Sequence, residues 1–88
     1  MFAKVVSSNG EIALLQGEIS REVILENQLQ YFEINTSAPF YICLNDDEDK
    51  ILIRYDTSFK LDRFPIYKFK VEKYFTELDF IFNYYGYY

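Results

Sequence analysis

Two apolar runs, Phe40–Leu44 and Ile51–Tyr55, flank a polar turn in the stretch APFYICLNDDEDKILIRYD. Ile51, Ile53 and Tyr55 alternate with Leu52, Arg54 and Asp56, which is the period of a half-buried strand. The stretch predicts a β-hairpin whose tip carries Asp46, Asp47, Glu48 and Asp49. Upstream, FAKVVSSNGEIALLQG reads as an opening hairpin. Val5 and Val6 are β-branched, Asn9-Gly10 favours a turn with positive φ, and Gly17 ends the second strand.

The segment 18–34, EISREVILENQLQYFEI, fits two periods. As a helix capped by Ser20 it would align Leu25, Leu29 and Phe32. As strands, Val23 and Leu25 alternate, ENQ turns, and Leu29–Tyr31 opposes Phe32–Ile34. Its β-branched and aromatic content favours strands.

From Ile66 to Tyr85 there is no Gly or Pro, and Gly86 follows. Phe64, Tyr67, Val71, Tyr74, Leu78, Ile81 and Tyr85 recur at helical spacing. Pro65 before the stretch and Gly86 after it suit the two ends of a helix. A pair of strands competes, because Tyr67, Phe69 and Val71 alternate with Lys68, Lys70 and Glu72, and Leu78, Phe80, Phe82 and Tyr84 alternate as well. The lack of a turn signal near Phe75 weighs against the pair. The expectation is a strand to about Val71 and a helix over 72–85. The fold class is then α+β and β-rich, a small antiparallel sheet or partly open barrel of about five or six strands with a C-terminal helix, with all-β as the alternative. At 88 residues the chain is expected to be a single domain, 1–88.

Histidine is absent, which removes His-based nucleophile pairs, general bases and metal sites. Cys43 is the only cysteine, so no internal disulfide forms, and its setting in FYICL suggests a small buried hydrophobe. The three glycines build no phosphate loop. Asn45, Asp47, Asp49 and Asp56 match the first, third, fifth and twelfth positions of a calcium loop, but Lys50 stands where that loop needs Gly and Asp56 where it needs Glu. The chain is therefore expected to be no enzyme and to carry neither metal nor cofactor.

Net charge is −5, which repels phosphate backbones and anionic membranes and favours a basic protein surface. Lys68, Lys70 and Lys73 interleave with Tyr67, Phe69 and Tyr74, a pattern that can track single-stranded nucleic acid, but three nearby acids, Glu72, Glu77 and Asp79, cancel the charge. Neither a signal peptide nor an apolar run long enough for a bilayer is visible, so a cytoplasmic protein is expected, in the host cytoplasm if phage-encoded. The expected function is a non-catalytic, acidic protein-binding module. It would be an inhibitor occupying a basic functional surface, as toxin-immunity and phage anti-defence (anti-CRISPR) proteins do. The alternative is a small nucleic-acid- or ligand-binding domain using Lys68, Lys70, Lys73 and the aromatic face. The expected contact residues are Asp46, Asp47, Glu48 and Asp49 at the tip and Tyr84, Tyr87 and Tyr88 in the tail. These tyrosines could equally join two copies of the chain.

Overall fold

The computed structural model describes residues 4–54 and 58–88. Among them are seven strands and no helix: β1 (Val5–Ser7), β2 (Ile12–Leu14), β3 (Ser20–Thr36), β4 (Phe40–Leu44), β5 (Ile51–Ile53), β6 (Ser58–Lys73) and β7 (Phe80–Tyr87). They form one antiparallel sheet in the order β1-β7-β3-β6-β4-β5, with β2 also on β7. Among the described residues the sheet does not close.

The expected C-terminal helix is absent, and the all-β alternative fits. Residues 72–85 supply the end of β6, a turn over 74–79 and most of β7. Burial decides between the two periods. A helical stripe would have hidden Leu78 and Ile81, yet these are 56% and 37% exposed, while Phe80 and Phe82 are 2% and 1% exposed. Alternation prevails because each ring on the inner face meets another strand's rings, which a lone helix face could not supply. The turn forms without Gly or Pro, through Thr76 and Glu77, closed by the Leu78 amide donating to the Phe75 carbonyl at 3.3 Å.

The opening segment also departs from expectation. Asn9 and Gly10 do adopt positive φ, 56° and 121°. However, β1 and β2 do not pair with each other. Both lie antiparallel to β7, in the registers Val5↔Tyr87 and Ile12↔Phe82, so together they form one interrupted edge strand. The turn loops out extra residues instead of reversing the chain. ENQ likewise stays inside β3.

The hairpin of β4 and β5 is present, with Phe40↔Ile53 and Ile42↔Ile51. Tyr55 and Asp56 lie outside the described residues.

β3 and β6 pair along their whole lengths, but the register slips twice, between Ile24↔Lys68 and Leu29↔Ile66 and again before Tyr31↔Asp62. The first slip loops out residues of β3. The second loops out residues of β6 around Arg63, whose φ is 60°. Such bulges bend a strand and raise its twist. The sheet therefore wraps its own core, which contains Leu14, Leu29, Phe32, Ile34, Phe40, Ile42, Ile66, Phe69, Val71, Phe80 and Phe82. Phe69 is the hub, with ring centroids 4.8 Å from Phe32, 5.2 Å from Tyr84 and 6.4 Å from Phe82. Lys73 shares this inward side at 2% exposure, and its Nζ donates to the Leu15 carbonyl at 2.8 Å.

Gly86 ends no helix. It sits within β7, opposite Phe32, where an added Cβ would fall 2.1 Å from the Tyr31 carbonyl oxygen and 2.7 Å from a Leu29 methyl. Gly86→Ala should therefore cost about 1–3 kcal/mol, the usual range for overpacking. In a thermal melt, each ~1 kcal/mol lowers the midpoint of a domain this size by ~4–8 °C. An unchanged midpoint would show that β7 can move away from β3.

Candidate protein-binding surface

The acidic tip is a folded loop. Asn45, at φ 54°, leaves β4 and docks on the bent part of β6. Its side-chain amide donates to the Pro65 carbonyl at 2.9 Å and accepts from the Tyr67 amide at 2.9 Å, acting as an extra peptide unit. Asp46 then accepts from the Tyr67 hydroxyl at 2.6 Å and pairs with Lys68. The hydrogen bonds from Lys68 and Tyr67 hold its carboxyl below the usual range. Asp47 accepts from the Asp49 amide at 2.9 Å. Lys50 bonds Glu72 at 2.7 Å and lies 5.4 Å over the Tyr41 ring. Asp47, Glu48 and Asp49 remain exposed.

This loop explains why Cys43 is buried. Phe40 and Ile42 point into the core, so Cys43, between Ile42 and Leu44, is on the other face, opposite Lys70. It is 6% exposed because the loop covers it, with Sγ 3.8 Å from the Glu48 carbonyl oxygen.

The three expected tail tyrosines do not form one patch. Tyr84 turns inward and is half-buried, with its ring 6.4 Å from Phe32; burial raises its pKa. Tyr88 continues the ladder with Lys4, its amide and carbonyl both bonded at 3.1 Å, and alternation sets it on the face opposite Tyr87. Tyr87 lies on the outer face, stacked on Tyr31 with centroids 5.0 Å apart and planes 11° apart. Tyr85 joins them, 6.1 Å from Tyr31. The registers Tyr31↔Tyr87 and Glu33↔Tyr85 produce this cluster. Tyr31 and Tyr85 were absent from the expected contact residues. Finding them requires the β3–β7 pairing, for which no local signal exists.

Glu33 lies at the centre of this face, only 8% exposed. It accepts from the Tyr31 hydroxyl at 3.2 Å, from Asn35 at 3.4 Å and from the Tyr85 hydroxyl, and Lys60 stands 3.5 Å away. Burial pushes its pKa up, but the hydrogen bonds and the Lys60 charge outweigh burial and leave it lowered. The same bond to Glu33 pushes Tyr85 up to about 12, with help from burial.

Of the three lysines of the basic-aromatic stretch, Lys68 and Lys70 line one cleft and Lys73 turns to the other face. Lys73 is buried, Lys68 is paired with Asp46, and Phe69 is in the core. Among the described residues no group of three His, Cys, Asp or Glu is placed to hold a metal, and no helix is long and apolar enough to cross a membrane.

Two measurements test this geometry. Thiol labelling of Cys43 should be slow at low salt and speed up as salt screens the Asp46–Lys68 and Lys50–Glu72 pairs, since only the loop has to open. A salt-independent rate equal to global unfolding would contradict the loop cover. In an ultraviolet titration, Tyr85 should ionise near 12, and Glu33→Gln should bring it back towards 10. Because folding raises that pKa, its contribution is complete below pH 10 and lost as pH rises through about 12. Glu33 has the opposite sign: its contribution is present above pH 4.5 and lost as pH falls through its lowered folded value.

The sequence matches no family model, and it matches no curated protein and no solved structure.

Proposed function

We propose that the protein is a small, non-catalytic binding module that docks on a basic surface of another protein and blocks it. The observation that carries this reading is the Tyr31–Tyr85–Tyr87 cluster around Glu33. Tyr85 and Tyr87 are 39% and 38% exposed, yet their rings are held in place by stacking and by the Glu33 bond. Rings ordered in advance lose little entropy on binding, and tyrosine is enriched among residues that dominate interface energies. The ionised Glu33 beneath them and the net charge of −5 favour a partner that brings Lys or Arg. Asp47, Glu48 and Asp49 add steering charge from the loop.

An inhibitor of the toxin-immunity or anti-defence kind would work in this way, by occupying a surface without reacting with it. The lone free Cys43 suits the reducing cytoplasm, the host's if the gene is phage-borne.

Affinity capture from the cell of origin, run in parallel with Tyr87→Ala, tests the reading. The wild-type chain should retain a basic protein that salt releases, and the variant should lose it by tenfold or more (about 1.4 kcal/mol) while still folding. Equal capture by both would remove the tyrosine face from the interface. Retention of the protein on single-stranded DNA at low salt would favour the nucleic-acid reading instead.

A further inference from the structure

We infer that the gap between β1 and the N-terminal half of β3 is an acceptor slot for an extended protein segment that alternates apolar and basic side chains. This site is separate from the tyrosine face, and either can fail alone. β7 covers β3 only along Tyr31–Thr36. From Ser20 to Ile24, β3 is paired on its β6 side alone among the described residues.

The hydrogen-bond phase shows which groups are left over. The Lys73 amide donates to the Ile19 carbonyl at 2.9 Å, so Ile19, Arg21 and Val23 turn their backbone groups to β6. Ser20, Glu22 and Ile24 therefore aim theirs at the free edge. At the two ends of β1, the Lys4 and Ser8 amides donate to the Tyr88 and Tyr84 carbonyls on the β7 side, so the backbone groups of Val5 and Ser7 face outward. Ser7 of the one free edge and Ile24 of the other line a single cleft of about 340 Å³.

The cleft suits one kind of occupant. Val6, Leu25 and Tyr84 line it and also pack against the core, giving an apolar side for every second residue of an inserted strand. Ile24 is 74% exposed and sits between Glu22 and Glu26 on the outward face. The residues lining the cleft include Glu26 and no base. Main-chain bonds to a free edge supply affinity, and alternate side chains supply selectivity. A second copy of this chain would bring its own net charge of −5, so a basic segment of another protein is favoured.

The test titrates a synthetic peptide, Lys-Val-Lys-Val-Lys-Val-Lys, into the full-length protein at low salt while amide hydrogen exchange is followed residue by residue. In the free protein, Val5, Ser7, Ser20, Glu22 and Ile24 should exchange much faster than Phe69 or Phe82. The peptide should slow these five by tenfold or more, the same peptide with alternate amides N-methylated should not, and Glu26→Gln should weaken binding about threefold and flatten its salt dependence. The inference is overturned if the five amides are already protected in the free protein. It is also overturned if both peptides act alike, or if the perturbed residues are Asp46–Asp49 or Tyr31, Tyr85 and Tyr87.

Discussion

The pairing of β3 with β6 is the constraint on which the other features depend. A straight ribbon of this length would leave one apolar face open along its whole extent, and the chain has no helix among the described residues to cover it. The two register slips remove that problem by bending both strands. Leu29 and Ile66, which pair between the slips, are each 0% exposed, so the bend itself is part of the core. The slips also exchange which residues face inward. Before them Arg21, Val23 and Leu25 are the half-buried set of β3; after them Phe32 and Ile34 are fully buried. A one-residue shift in pairing would turn each of these side chains over, so this register is strongly specified.

The bend has a cost at the sheet's edge. β7 can follow only the C-terminal half of β3, because the N-terminal half turns away with β6 and β4. The open end of the sheet is bridged at one point, by Lys73 Nζ to the Leu15 carbonyl. Towards Ile24 the bridging stops. Glu22, Glu26 and the bulge are the kind of features that keep such an edge from pairing with copies of itself.

Local patterns were legible where both partners of a pairing are close in sequence. The hairpin of β4 and β5 was readable because its alternation and its turn lie within one short stretch. The positive φ at Asn9 and Gly10 was readable too, but not that the turn would interrupt an edge strand, since β7 lies at the far end of the chain. The C-terminal region misled for a physical reason. It is so rich in rings that residues spaced for a helix and residues spaced for a strand are both apolar, and neither Gly nor Pro marks the turn. Only the presence of β3 between β6 and β7 separates the periods. The candidate site was hidden by the same gap. The alternation in QYFEIN shows that Tyr31, Glu33 and Asn35 share a face, but not which strand lies beside them.

The aromatic ending of the chain follows from this arrangement. β7 is the strand shared by β1, β2 and β3, so each of its faces has a different role. Phe80 and Phe82, without a hydroxyl to satisfy, turn inward; Tyr85 and Tyr87 turn outward, where their hydroxyls can bond or meet water. Gly86 lies between the outward pair. Its missing side chain leaves room for the Tyr31 carbonyl and for Leu29, so β7 can come close to β3 at this point. The same closeness brings the Tyr87 ring to 5.0 Å from Tyr31. A residue that fills no space thus serves both faces at once: it lets the core close on one side and sets the stacked rings on the other.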